Sequence, residues 1–597
     1  MKKKSPKPQR PAPRPDPFAA RLAQALDAHQ QGRLDEAEQH YNAILQAQPA
    51  HFDALHYYGV LHMQSRRMAS GVALIERALS HGEAADALSN LAGGLLQLGR
   101  HADALPRLER AAQLDSRQAA VHTNLGLALA GVGRHADAVN AHRMALQLQP
   151  VFPEALNNLG NALRALARHD EALAAFEQAL LQRPGYPEAL NNRGLVQAAR
   201  KDFAAAIASH EEAIARRPRY AEAHNNRGNA LKELARFDEA QRAYDEALAI
   251  NPGYAEARYN RGNNFGAQNR HAEALQEYAQ ALQLQPEHAD ANWNQALSHL
   301  LLGDFAAGFP QYEWRWRLKN AEARRSFDCP EWDGKASLDG QHIIVWAEQG
   351  LGDTLQFCRL VHLLSKRGAR VSLEVQPPLA RLLSRLPDVT VFSRDETAPA
   401  ADFHCPLLSL PARLGLTPEA LPVATQYLAA SDAEREIWQQ RLPAAALRIG
   451  VCCSGNPRLS NDHNRSVPLA RFLPLAAADR QLVLMQKDLR SSDEATLADS
   501  PIHDLRGGLN DFCDTAAALS HCDLLISVDT SVAHLAGAMG VPTWILLPFA
   551  PDWRWQLQRE DSPWYPAARL FRQPAPGDWD GVFAQLGTAL AGFRRSA

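Results

Sequence analysis

The chain has 597 residues, too many for a single hydrophobic core, so several domains are expected. Its 63 Lys and Arg residues nearly balance 66 Asp and Glu, and a net charge of −3 gives no broad field for nucleic acid or membrane binding. No run of 18 apolar residues occurs, which excludes a membrane-crossing helix.

Residues 1–16 are rich in Lys, Arg and Pro, with Lys2, Lys3, Lys4, Lys7, Arg10 and Arg14 among the prolines. No apolar stretch follows, so a disordered solvated tail is expected rather than a secretory signal.

From residue 17 the sequence repeats. Asn90, Asn124, Asn158, Asn192, Asn226, Asn260 and Asn294 fall 34 residues apart, the mark of stacked helix–turn–helix units. The clearest units are PEALNNLGNALRALARHDEALAAFEQALLQRPGY from Pro153 and AEAHNNRGNALKELARFDEAQRAYDEALAINPGY from Ala221. Gly160, Gly194, Gly228 and Gly262 make room on the first helix of each unit. Pro184, Pro218, Pro252 and Pro286 stop the second. These units resemble the tetratricopeptide repeat, and about nine cover residues 17–320. One unit cannot bury its own apolar face, so the array is expected to be an α superhelix stabilised by neighbour stacking. The ladder asparagines lie on the first helices, with Asn161, Asn229 and Asn263 three residues on. An Asn amide offers two donors and an acceptor, suiting the backbone of an extended polypeptide, and bonds between repeats are the alternative. The ladder is similar to that of the eukaryotic O-GlcNAc transferase superhelix, which holds protein substrates. That resemblance assigns Asn124, Asn158, Asn192, Asn226, Asn260 and Asn294 to a polypeptide acceptor or partner.

After residue 300 the period frays. Tyr312, Trp314, Trp316 and Trp332 predict a cap that docks the last repeat on the next domain, with a linker over residues 321–340. Short β-rich runs then alternate with helical stretches: Ile343–Ala347, Val371–Val375 and Val389–Phe392, then Leu447–Cys453, Leu482–Met485, Leu524–Val528 and Thr543–Leu547. They predict two facing α/β units, residues 341–445 and 446–597, joined by a helix near Asp432–Ala446. A terminal helix, about Trp579–Arg594, is expected to cross back onto the first of them. The arrangement resembles the GT-B glycosyltransferase fold, two Rossmann-like domains with a cleft between.

Three motifs carry the chemistry. EQGLGDTLQF (Glu348–Phe357) joins a strand to a helix, with Gly350 and Gly352 in the turn and Asp353 at the helix start. SVDTSVAHLAGAMGVPTWILL (Ser527–Leu547) reads as strand, helix, glycine turn, strand. Thr530, Ser531 and Val532 offer free N–H groups to an anion, with Asp529 and His534 beside them. CCSGNPRLSNDHNRSVPLARF (Cys452–Phe472) places Ser454, Arg458 and Arg465 in a polar loop. The first two motifs are similar to those of bacterial heptosyltransferases, glycosyltransferase family 9. That resemblance implies Asp353 as base, and a donor site from Gly352, Ser454, Arg465, Asp529, Thr530, Ser531, Val532 and His534. Ser531 departs from the family's usual Gly, and Ser466-Val467-Pro468 from its Trp-Pro. Lys487 and Asp488 fall near an expected ribose contact. Trp553, Trp555, Trp564 and Tyr565, with Asp552 or Arg554, are candidates for acceptor or nucleobase contact or for packing against the terminal helix.

No Asp-x-Asp motif lies at a strand end of the cleft; Asp578-Trp579-Asp580 begins the last helix. A metal-independent, inverting transfer is expected, with no metal site and no cofactor beyond the nucleotide sugar as substrate. The seven cysteines, Cys329, Cys358, Cys405, Cys452, Cys453, Cys513 and Cys522, follow neither zinc nor disulfide spacing, predicting buried thiols and a cytoplasmic protein. The leading expectation is a glycosyltransferase acting on a polypeptide held by the repeats, a design similar to flagellin glycosyltransferases. A lipopolysaccharide or other glycan acceptor is one alternative. A catalytically inactive repeat scaffold is the other.

Overall fold

The computed structural model describes residues 17–422, 425–457 and 462–594. The basic tail and Arg458 therefore lie outside the described residues. The chain divides into two compact units, residues 1–252 and 253–597.

The described part of the first unit is a run of helix pairs. It begins with Ala19–Gln30 and Leu34–Ala47 and ends with Ala221–Glu233 and Phe237–Ile250. Second helices stop short of the repeat prolines, at Gln182 before Pro184 and Arg216 before Pro218, because proline disfavours helical backbone in the residue before it. The turn inside each pair passes through left-handed backbone, at Gly133 (φ 81°), Ala167 (56°), Lys201 (64°) and Ala235 (57°). Stacking depends on size matching. Gly160 sits under the ring of Phe176 and Gly228 under Tyr244, where an added Cβ would come within 2.6 Å of the ring. Gly126 and Gly194 seat His142 and His210 in the same way.

The second unit opens with two more helix pairs, Ala255–Gly266 with His271–Leu284 and Ala289–Leu301 with Phe305–Tyr312. Two parallel sheets follow. The first contains β1 (His342–Trp346), β2 (Arg370–Val375), β3 (Val389–Ser393) and β4 (Phe403–Pro406), in the order β3-β2-β1-β4. Its register pairs Ile343 with Val371 and with Phe403. The second contains β5 (Leu447–Cys452), β6 (Arg480–Leu484), β7 (His503–Asp504), β8 (Leu524–Val528), β9 (Thr543–Leu547) and β10 (Ala568–Arg572), in the order β10-β9-β8-β5-β6-β7. Counted from β5, that is 3-2-1-4-5-6 read backwards, the doubly wound order. The direction in which successive strands are added reverses between β1 and β4 in one sheet and between β5 and β8 in the other, all strands staying parallel. Such switch points open a crevice at the carboxyl ends of the strands.

One apolar core runs from Phe305, Phe309 and Tyr312 through Val345, Leu355 and Leu373 to Leu535 and Trp564. The last repeat helix is thus packed into the α/β part. A second core lies between sheet residues Ile449, Leu482, Ile526 and Trp544 and the terminal helix Trp579–Gly592. This corrects the expected crossover: Val582, Leu586 and Leu590 bury against the second sheet itself, in one core with Leu469, Phe472 and Leu497. The joining helix is Asp432–Arg441, shorter than expected because the chain passes into Pro443 and an Ala-rich stretch. All seven cysteines are free thiols, six of them buried and Cys329 partly so.

Candidate functional site

The two motif turns meet. β1 delivers the chain to Gly350, where the short helix Leu351–Phe357 begins; β8 delivers it to Thr530, where Ser531–Met539 begins. A Cβ on Gly352 would lie 2.7 Å from Cδ2 of His534 and 3.5 Å from Cα of Ser531. Only a glycine lets the helix from one lobe approach the amino end of the helix from the other so closely. Gly352, Asp353, Asp529, Thr530, Ser531 and His534 therefore belong to one constellation.

Asp353 is the third residue of its helix, and its Oδ2 accepts from Gly350 N–H at 2.8 Å. Its other oxygen is ion-paired with Arg554, which lies in the loop after β9. Arg554 also bonds Asp552 at 2.8 Å and donates from Nε to Gln356 at 2.9 Å, while stacking over Trp553 at 4.5 Å. Burial raises the Asp353 pKa, and the Arg554 charge pulls in the opposite direction.

On the facing side, Thr530 is the N-cap of its helix in extended backbone, with its hydroxyl 3.1 Å from Ser527 Oγ rather than capping the helix. The first helical amides, at Ser531 and Val532, lie where an α-helix leaves its N–H groups unsatisfied. Asp529 is carried up to about 6 by burial and the nearby Asp552 charge, with Arg465 opposing. Buried His534 accepts or donates at Nδ1 with Tyr565 Oη (2.8 Å), places Nε2 3.8 Å from Asp529, and stacks on Trp555 at 5.3 Å. Burial, with Arg554, Arg359 and Arg465 nearby, holds its pKa well below the usual value, so the imidazole is neutral near pH 7.

Arg465 closes the third edge. It donates from Nη1 to Asp529 O (3.1 Å) and from Nε to Asp462 (3.3 Å). Gly455 lies beneath it: a Cβ there would be 2.5 Å from Nη2. Ser454 is braced by Gln486, whose Oε1 receives Cys453 N–H (2.7 Å) and Ser454 N–H (3.2 Å) and whose Nε2 reaches Ser454 Oγ (3.0 Å). Lys487 donates to Asn510 O at 3.3 Å, and Asp488 contributes its carbonyl to Gln486.

The aromatic residues form a wall. Trp553, Trp555, Trp564 and Tyr565 are buried, packed against Phe305, Phe309, Phe357 and His534 rather than against the terminal helix. Tyr312, from the end of the last repeat, packs at a tilt against Trp293 (4.6 Å between ring centres) and donates to Gln349 Oε1 (3.3 Å), one residue before the Gly350 turn. Just beyond it, Arg315 reaches Glu348 at 2.8 Å, and burial lifts that carboxyl to about 7. The roles of Tyr312, Gln486 and the Arg554–Asp353 pair were not apparent from the motifs. The position of Arg554 just past the carboxyl end of β9 is the one sequence signal that points to it.

Part of the asparagine ladder is tied between repeats. Asn192 donates to Asn157 Oδ1 (2.9 Å) and Asn226 to Asn191 Oδ1 (3.1 Å); in the second unit Asn294 donates to Asn263 Oδ1 (2.9 Å). Asn124 and Asn158 are half-buried on their helices, and Asn260 is buried. Among the described residues no group of three or more His, Cys, Asp or Glu side chains is placed to hold a metal ion, and no helix is long and apolar enough to cross a membrane.

Models of the tetratricopeptide repeat match residues 22–90, 89–153, 152–219, 221–254 and 259–316, so the first 320 or so residues carry these repeats. A curated relative, Protein FlbA of Caulobacter vibrioides, is 26% identical over 330 residues, covering 50% of this chain and 54% of that protein. The chain thus spans about half the length of the curated relative it matches. Among solved structures, the APC/C hetero-tetramer Cut9–Hcn1 is 15% identical over 48% of this chain and 57% of its own, with a TM-score of 0.37. A thermophilic tetratricopeptide-repeat protein of Thermus thermophilus, TTC0263, is 25% identical over 30% of this chain and 97% of its own, at a TM-score of 0.28.

Proposed function

We propose that this repeat protein is a glycosyltransferase of GT-B type that moves a sugar from a nucleotide donor to a polypeptide held by the repeats. The observation that carries the reading is the contact of Gly352 with Ser531 and His534, which sets an acidic side chain beside a helix amino end at two facing switch points. In the proposed reaction Asp353 takes the proton of the acceptor hydroxyl, which attacks the anomeric carbon as its bond to the diphosphate oxygen breaks. The departing diphosphate gains charge, and the N–H groups of Ser531 and Val532 with the Arg465 guanidinium are the groups offered to it. Direct displacement inverts the anomeric centre. Asp529 and neutral His534 suit sugar hydroxyls.

Arg465 and the helix end supply charge neutralisation without a metal in this scheme, so activity should survive a chelator. Tyr312 and Arg315 tie the last repeat to the Glu348–Asp353 turn, which supports delivery of the acceptor from the repeat side. The test is incubation with a panel of nucleotide sugars, comparing wild type with Asp353→Ala for donor turnover and for thermal shift with each nucleoside diphosphate. Turnover lost in Asp353→Ala with the diphosphate shift retained supports the assignment. No shift and no turnover with any donor overturns it and leaves an inactive scaffold.

A further inference from the structure

A second cavity, of about 1040 Å³, lies away from the cleft in the N-terminal sheet's lobe. His342 and Arg370, which begin β1 and β2, line it, so it sits at the amino ends of strands whose carboxyl ends carry the candidate site. Its cations are Arg359, Lys366 and Arg370, with His362 beside them and Asp388 the one acidic group on the wall.

The charge there is only partly compensated, by Asp388 on the wall and by the Tyr427 and Tyr565 rings 4.3 and 4.8 Å from the Arg359 guanidinium. Arg359 is buried, and its three bonds go to neutral acceptors: Gln356 O (2.8 Å), Trp564 O (2.7 Å) and Tyr427 Oη (2.6 Å). Among the described residues neither it, Lys366 nor Arg370 forms an ion pair, whereas the nearby Arg381, Arg385 and Arg394 all do. Burying a guanidinium without a counter-charge is costly. Leu363, Ala369, Val371, Pro387, Pro399 and Pro422 give the lining an apolar stretch, beside the hydroxyls of Ser365, Ser372 and Thr390.

We propose that this cavity binds an amphiphilic anion: a compact phosphate or carboxylate head attached to an apolar chain. The head lies among Lys366, Arg370 and the Arg359 charge, where guanidinium and ammonium groups satisfy several anionic oxygens at once. The chain lies along Leu363 and Val371, in a space of the size that small-molecule sites occupy. Its lining includes none of Asp353, Arg465, Asp529, Thr530, Ser531 or His534, although the Arg359 charge also lies near His534, and the site stands whether or not the chain is a glycosyltransferase.

The experiment is calorimetric titration of the full chain with decyl phosphate, inorganic phosphate and decanol, repeated on the Lys366→Glu/Arg370→Glu double variant. Both residues are exposed, so the variant should fold, which a circular dichroism melt verifies. Saturable binding of decyl phosphate is expected, about tenfold tighter than either half-molecule and about tenfold weaker in the double variant. Absence of saturable binding overturns the proposal. So does equal affinity for decanol, which removes the anion, or for inorganic phosphate, which removes the chain. Unchanged affinity in a folded double variant overturns it as well.

Discussion

The carboxylate of Asp353 and the guanidinium of Arg554, 201 positions apart in the chain, form a largely buried ion pair between the two sheet-bearing lobes, with the Asp353 side chain 18% exposed. Asp353 is thereby held from two sides, by Gly350 N–H and by Arg554. Replacing Arg554 by Gln leaves Asp353 and Asp552 without their cation and should cost about 3 kcal/mol of stability. It also removes the charge that opposes burial at Asp353, so that carboxyl becomes harder to ionise. If Asp353 acts as a base, the acid limb of the rate profile moves to higher pH in Arg554→Gln. Arg554→Lys, which keeps the charge, restores much of it. Rates across a pH series, with unfolding measured in parallel, separate a tuned base from a merely loosened fold.

Gly352 offers a sharper probe of the same contact. A methyl group 2.7 Å from the His534 ring has nowhere to go, because His534 is stacked on Trp555 and bonded to Tyr565. Gly352→Ala should separate the two helices, with an overpacking cost of about 1–3 kcal/mol. Donor turnover should fall at least as far as in Asp353→Ala, while the first unit's helical signal is unchanged. Thermal unfolding and donor turnover on the one variant measure both effects.

The repeats carry an acid sensitivity of their own. His142 is 1% exposed, its Nδ1 has no partner, and burial lowers its pKa to about 4. His210 is lowered similarly, with Nδ1 bonded to Asn191 at 2.9 Å. Between about 4 and the ordinary histidine value of about 6.5 the unfolded chain binds more protons than the folded one, so stability falls as pH falls through that window. The equivalent position one repeat on is Phe176, seated on Gly160 as His142 is on Gly126. His142→Phe should therefore reduce, by the His142 share, the pH dependence of unfolding between about pH 6.5 and 4 without loss at neutral pH, His210 keeping its own. Melting temperatures at pH 7 and pH 5 for both proteins give the comparison.

Such regularities explain what was legible in the sequence. A 34-residue period writes each contact many times over, so the prolines, seat glycines and ladder asparagines stand out. Among strands, the central runs IIVW of β1 and LLISV of β8 are buried on both faces and announce themselves. β4 (FHCP) contains proline, β7 has two residues, and β10 (ARLFR) alternates with arginine at a sheet edge; none has a continuous apolar run. In the candidate site, the turn motifs revealed which residues lie at strand ends. The pairing of Arg554 with Asp353 left no local pattern, because each partner sits in a different lobe and the bond depends on how the lobes close. The asparagines show the same limit: the acceptor for Asn192 is Asn157, one residue out of phase with the period that reveals the ladder.

Two positions seven residues apart in one repeat make opposite demands on glycine. At Gly228 the backbone is helical and the constraint is space: a Cβ would meet Tyr244 Cε1 at 2.6 Å, and Tyr244 is pinned by its bond to Asn229 at 2.8 Å. Gly228→Ala should cost about 1–3 kcal/mol despite alanine's better helix propensity. At Ala235 space is not the constraint; the backbone is left-handed, with φ 57°. Other repeats use Gly133 and Gly303 for the same turn. An L-residue is strained there by about 1–2 kcal/mol, partly offset by the extra freedom glycine has in the unfolded chain. Ala235→Gly should therefore raise stability by roughly 0.5–1 kcal/mol. Chemical unfolding of the two variants side by side should move the midpoint in opposite directions, and a loss of stability in Ala235→Gly would show that the turn is held by something other than its backbone angle.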